Sequence, residues 1–236
     1  MASTPDNKRG ASARKAAPAG KKSAKQPAAK KAPAAPAPEP VAAANGSDRR
    51  AAILSVAADL FAHKGVANTT VREIGDAAGI LSGSLYHHFD SKESMVKEIL
   101  ERYFDEMLAD YAEAGKASDP VERFSGLVRA SLLSIERNPS ACEIFQNDFK
   151  YLLSLPPLAN ISKQAEKVQR YWLDAIEEGA ATGRFRGDVP PKVFYAFARD
   201  AVWFTVRWYR SGGPEDIDTV ADQCLATLLN GYAAPA

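Results

Sequence analysis

Cysteine is scarce: Cys142 and Cys224 are the only two in 236 residues. Two thiols so far apart exclude a disulfide framework and a zinc site, and they fit a reducing cytosol. The three histidines, His63, His87 and His88, stand at no metal-ligand spacing from either cysteine. No run of about 18 apolar residues exists, so no transmembrane helix is expected. The N-terminus lacks the apolar stretch of a signal peptide, and the expected location is cytoplasmic. There is no glycine-rich phosphate loop, and no base or nucleophile stands at a readable spacing, so neither an enzyme nor a cofactor is expected. Alternating strand patterns and internal repeats are missing as well. What is present is a globular composition, 46% hydrophobic and 9% aromatic.

The net charge of +1 hides an asymmetry. Residues 1–40 hold nine Lys/Arg, from Lys8 to Lys31, against Asp6 and Glu39. The rest of the chain holds twenty-one basic and twenty-seven acidic groups. Residues 1–46 are Ala, Lys, Pro, Ser and Gly with almost no large apolar side chain. Such a segment cannot bury enough surface to offset its ordering entropy, so a disordered basic tail is expected. It is either a polycation attracting phosphates or a solubilising extension.

From Asp48 onward the spacing is helical throughout, which predicts an all-α fold of about nine helices. Asp48 is expected to cap a first helix with the apolar stripe Ile53, Leu54, Ala57, Leu60 and Phe61, and Gly65 to close it. Thr70 and Glu73 form a Thr-x-x-Glu capping box that opens a second helix through Ala78. Gly79 breaks that helix, and a third is expected from about Ser82 to His88. Ser91 caps a longer one carrying Met95, Ile99, Phe104 and Leu108. Asp119-Pro120, with Glu122 as box partner, and Pro139 mark two further starts. A long helix is expected from about Leu158 to Ala181, stopped by Gly183. Pro190-Pro191 opens a helix expected to run through about Tyr209, and Gly212-Gly213-Pro214 separates it from a last helix ending near Asn230.

The segment Thr69 to Phe89 reads as a helix-turn-helix. Ile74 and Ala78 face the first helix, and Gly79 turns the chain in a left-handed conformation free of side-chain strain. Ile80 and Leu85 plug the space between the two short helices. Ser82, Gly83 and Ser84 are small enough to let the second helix approach a groove, where N–H groups and hydroxyls meet phosphates or base edges. Tyr86 and His87 present hydrogen-bonding tips outward, and Lys92 follows within reach of a phosphate. Thr69, Thr70 and Arg72 complete the candidate DNA-binding set. Residues 47–95 carry five Lys/Arg against six Asp/Glu. The unit is no basic patch, and recognition would rest on a few placed donors. A helical hairpin with no DNA partner is the competing reading of the pattern.

Ala78-Gly79-Ile80, Gly83-Ser84-Leu85-Tyr86-His87-His88-Phe89 and Ser91-Lys92-Glu93 together resemble the tetracycline-repressor (TetR) family, over Asp48 to Met95. The resemblance implies a helix-turn-helix domain over residues 47–93 and a helical ligand-binding and dimerisation domain over 94–232. It implies phosphate contacts from Thr70, Tyr86, His87 and Lys92, with the Ser82–Tyr86 helix in the major groove. Leu81 stands where the family usually has a small polar cap residue. Gly75 replaces a frequent alanine and is expected to weaken its helix by roughly 0.5–1 kcal/mol.

Residues 96–230 hold no catalytic constellation. The apolar faces of the last two helices (Phe194, Phe197, Ala201; Val220, Cys224, Leu225, Leu228) fit either a dimer interface or a monomer core. Trp203 and Arg207, four apart, would set a broad ring beside a guanidinium, which suits a ligand greasy at one end and anionic at the other. Equally, Trp203 belongs to a dimer core and Arg207 pairs with an acid such as Asp200. Ile80 to Phe89, with Val206-Arg207-Trp208-Tyr209 and Gly212-Gly213-Pro214, resembles the ketosteroid-responsive repressors that the family has in actinobacteria. That resemblance implies a homodimer on a palindromic operator, released by an acyl-CoA effector carrying a cholesterol ring fragment. It places Trp203 and Arg207 in the ligand region, with Phe145, Gln146, Tyr151 and Trp172 as further pocket candidates. The competing function is ligand-independent, nucleoid-type DNA binding through the basic tail.

Overall fold

The computed structural model of the chain describes residues 46–230. The expected basic tail therefore lies outside the described residues, except for Gly46, which already begins a helix. Among the described residues there are nine α-helices and no strand.

Helix α1 (Gly46–Lys64) buries Ile53, Ala57 and Phe61 completely. Asp48 sits in its first turn and not at its cap, a correction to the expected start. Gly65 follows at φ 83°, the left-handed conformation that ends the helix. Helix α2 (Val71–Ala77) opens on the expected box: the Glu73 N–H donates to the Thr70 hydroxyl at 3.2 Å, and the Thr70 N–H to the Glu73 carboxylate at 2.9 Å. Gly79 turns the chain at φ 69° into α3 (Ser82–Leu85), which is shorter than expected and passes into turns before His88. Gly75 has a packing reason. A Cβ there would lie 3.0 Å from the Ile80 carbonyl oxygen and 3.3 Å from the Ser82 Cα, so backbone contact opposes the propensity gain of an alanine.

Helix α4 (Lys92–Ala114) starts on a box between Ser91 and Ser94. It runs from the head, formed by α1 to α3, into the body formed by the later helices, burying Met95 and Leu100 at its start and Phe104, Met107 and Tyr111 further along. Helix α5 (Pro120–Arg137) begins at Asp119, whose carboxylate accepts the Val121 N–H at 3.2 Å and the Arg184 guanidinium at 2.6 and 3.0 Å. The expected partner, Glu122, is not what closes this cap. Then come α6 (Pro139–Leu153), α7 (Ala159–Ala181), α8 (Pro191–Trp203) and α9 (Ile217–Asn230).

An aromatic cluster joins α5, α7 and α8. Phe124 stacks on Phe194 at 5.4 Å and meets Trp172 edge-on at 5.5 Å. Phe185 covers the same cluster by lying against Gly179, where a Cβ would collide with its ring. One polar chain threads the core. The Trp172 indole N–H donates to the Tyr111 hydroxyl at 2.8 Å, Tyr111 donates to Ser131, and Ser131 donates to the Leu127 carbonyl at 2.7 Å. Burial pushes the Tyr111 phenol above its ordinary range, which keeps it a donor.

The largest departure from expectation is the end of α8. The α-helix stops at Trp203 and tightens into a 3-10 turn over Phe204–Arg207, six residues short of the expected Tyr209 end. Thr205 donates its hydroxyl back to the Ala201 carbonyl at 3.2 Å, the local bond by which threonine competes with a continuing helix.

Candidate nucleic-acid interface and cavity

Helix α3 and its turn present Gly83, Tyr86 and His87 to solvent, with Ser82 and Ser84 half-buried. Thr70 and Arg72 are exposed on the neighbouring α2 end. Arg72 lies 3.8 Å from Asp76, a loose surface pair. These seven of the nine expected positions form one continuous part of the head.

Thr69 and Lys92 are placed otherwise, and burial corrects the expectation for the Thr69 side chain. Thr69 is buried, and its hydroxyl donates to the Gly65 carbonyl at 2.9 Å. The Lys92 ammonium donates to the Val66 carbonyl at 2.7 Å and the Thr69 carbonyl at 2.9 Å. On the other side of this loop the Asp148 carboxylate, from α6, accepts the Val66 N–H at 2.8 Å. Lys92 and Asp148 thus bracket the loop over 65–69 that positions Thr70. Two of the three ammonium donors of half-buried Lys92 are thereby taken up in holding the loop that carries Thr70.

The acidic partner of the head is Glu73. Lys64, then the Thr70 N–H and hydroxyl, hold its carboxyl down from an ordinary 4.5 to about 2. A depressed folded-state value contributes stability above the ordinary pKa that is lost as pH falls towards the folded one. Acid destabilisation between pH 4.5 and 2 is therefore expected to be shallower in Glu73→Gln, which keeps an acceptor for Thr70 but no charge for Lys64. Melting temperatures of the two proteins across that window check this, and parallel curves would remove Glu73 from the account.

In the body, α4, α6, α7, α8 and the 3-10 turn after it line a half-open cavity of about 520 Å³. Phe104, Met107, Phe145 and Trp203 supply apolar wall, while Gln146, Gln169, Arg199 and Asp200 supply polar groups. Of the expected ligand residues, Trp203, Phe145 and Gln146 meet here. Trp172 does not line it: fully buried, it serves the core hydrogen-bond chain. Tyr151, half-buried further along α6, is not on the wall either.

Arg207 is displaced by the 3-10 turn. Its guanidinium lies over the Phe204 ring at 4.6 Å and borders a separate groove with Glu143, Gln146 and Asn147. The cation on the cavity wall is Arg199, four residues before Trp203 on the same helix. Arg199 sits 5.8 Å from the Tyr195 ring centre and pairs with Asp200 at 2.7 Å. Asp200 is thus engaged by Arg199, not by Arg207. The i, i+4 signal for a ring beside a guanidinium pointed both ways from Trp203, and only the helix end decided between them.

The outer face of α8 and the following turn leaves Val193, Phe197, Phe204 and Trp208 exposed, with Ala201 among them. Phe197 is 67% exposed and Trp208 61%. Phe194 instead turns inward to Phe124. On α9, Val220 and Leu225 are buried within the protomer, and Cys224 and Leu228 are half-buried. Among the described residues no helix is long and apolar enough to cross a membrane.

Two family models match the chain. One is described as bacterial regulatory proteins, tetR family, over residues 53–99. The other is the tetracyclin repressor-like C-terminal domain, over residues 117–232. The HTH-type transcriptional repressor KstR2 of Rhodococcus jostii is 43% identical over 190 residues, spanning 80% of this chain and 93% of that protein. The solved structure of the ketosteroid transcriptional regulator KstR2 of Mycobacterium tuberculosis superposes with a TM-score of 0.74 at 41% identity, covering 79% of this chain and 96% of the other.

Proposed function

Because the chain belongs to the TetR family of bacterial regulatory proteins and is a transcriptional repressor like KstR2, we propose that it binds a near-palindromic operator as a homodimer and is released by a CoA thioester carrying a steroid-ring fragment. Residues 47–93 are the DNA-binding domain and residues 94–232 the ligand-binding and dimerisation domain. In the dimer, two α3 helices about 34–36 Å apart enter successive major grooves. Ser82, Gly83 and Ser84 face the bases, and Thr70, Arg72, Tyr86 and His87 meet phosphates. The work is done in the cytoplasm, where the operator is.

The observation that carries the effector reading is the cavity. Its 520 Å³ lies within the range of small-molecule sites, about 300–1,000 Å³. Phe104, Met107, Phe145 and Trp203 suit a fused alicyclic ring, while Gln146 and Gln169 suit its oxygens. Arg199 offers a charge-assisted bond to the thioester or phosphate end, once freed from Asp200. The name of the KstR2 relative, a ketosteroid regulator, supports the ring chemistry. Ligand occupancy reaches the head through α6, which carries Phe145 and Phe149 on the cavity side and Asp148 on the Val66 loop.

Fluorescence anisotropy with an operator duplex tests the reading. A steroid-ring acyl-CoA is expected to weaken operator binding about 5- to 150-fold, the usual span of allosteric coupling. Unchanged affinity with saturating thioester would overturn the effector assignment. Nucleoid-type binding is not favoured: the relatives at 41–43% identity are named HTH-type transcriptional repressors, and operator preference is expected to outlast removal of the tail's charge.

A further inference from the structure

Leu81 is the most exposed of the large apolar side chains among the described residues, at 81%. It holds the N-cap position of α3 with extended backbone, and its side chain caps nothing. A serine, threonine or aspartate there would accept one of the orphan N–H groups of the first turn. Leucine forgoes that bond and leaves its own apolar surface in water, so the stability of the head does not account for it. Isolated exposed leucines are ordinary elsewhere on a protein. This one stands at the N-terminal end of the second helix of a helix-turn-helix, where side chains reach base edges. The residues after it are small: Ser82, and Gly83 with nothing within 4 Å of where a Cβ would be. The leucine therefore stands proud of its neighbours at the tip of the unit.

In the major groove, adenine, guanine and cytosine present donors and acceptors, while thymine alone adds an apolar group, its C5-methyl. We infer that Leu81 is a specificity-determining residue that packs on the C5-methyl group of one thymine in each operator half-site. Other bases at that position would have polar edges buried against leucine without a partner, and they are rejected for that reason. The inference rests on the repressor reading above and names one contact by which the operator is read.

Operator duplexes are first selected by the full chain from a random-sequence pool. Each thymine is then replaced in turn by uracil, which removes only the methyl group, and affinity is read by anisotropy. At one symmetric pair of positions, uracil is expected to weaken the native protein about three- to tenfold, the scale of one or two buried methyl contacts. Leu81→Ala is expected to bind the thymine operator as weakly as the native protein binds the uracil one, and to ignore the substitution. Leu81→Ser, which restores a capping hydroxyl, is expected to match or exceed the native melting temperature while showing the same indifference, so unfolding cannot mimic the result. A native protein insensitive to every uracil, or a Leu81→Ala protein that keeps its sensitivity, overturns the inference. Failure to enrich any sequence from the pool is a different outcome, and it overturns the repressor reading together with this one.

Discussion

Phe197→Glu is expected to convert the proposed homodimer, with the exposed α8 face as its seam, to monomers and to lower operator affinity by about a hundredfold or more, because two half-sites are then no longer held together. The residue is the most exposed aromatic of the α8 face and lies between Val193 and Trp208 on the same stripe. A carboxylate there must either stay in water, which forbids the contact, or be buried unpaired, which costs several kcal/mol. The substitution leaves the protomer intact, since Phe197 makes no part of the buried core. Sedimentation equilibrium and anisotropy read the two effects separately. A variant that still sediments as a dimer would show that another face holds the protomers.

Trp172→Ala is expected to be the most destabilising single change in the body, at about 3–5 kcal/mol for a fully buried tryptophan. Two losses combine. The ring leaves a cavity against Phe124, and its N–H no longer occupies the Tyr111 oxygen. Tyr111→Phe isolates the second loss: volume is kept, but the indole N–H loses its acceptor and Ser131 its donor, for about 1–3 kcal/mol. Since the two residues share one bond, the double variant should fall short of the sum of the singles. Urea midpoints for the three proteins measure this. Additive values would show that the hydrogen bond contributes nothing to the fold.

What could be read without coordinates was what neighbouring residues settle among themselves. The Thr70–Glu73 box, the Ser91 cap and the left-handed glycines at 65 and 79 are decided within four or five residues, and each holds. The errors arise where a distant group competes. Thr69 looks like a phosphate ligand beside a helix start, but its hydroxyl is buried against the Gly65 carbonyl. Asp119 looks half of a box, but Arg184 closes the pair. Trp172 has the composition of a pocket residue, and only the arrangement of α4, α5 and α7 reveals it as core. Arg199 and Arg207 both stand four residues from Trp203, and only the end of α8 at Trp203 separates them. The exposed stripe on α8 is partly legible from Phe197 and Ala201, but Phe194, one turn earlier at the edge of that stripe, is half-buried against Phe124.

Helix α6 belongs to two sites at once, with Phe145 on the cavity and Asp148 on the backbone of Val66. Whatever free energy a ligand exerts on the head through that helix, an operator must exert back on the ligand, by thermodynamic necessity and by the same factor. If the ligand releases the operator as proposed, DNA is an antagonist of the small molecule. Copies of the protein adrift in the cell would then hold the effector more tightly than copies seated on a promoter. The free pool would sequester the first molecules to appear, and derepression would wait until that reservoir is filled. On this view the number of protein copies, and not affinity alone, sets the threshold at which the genes switch on.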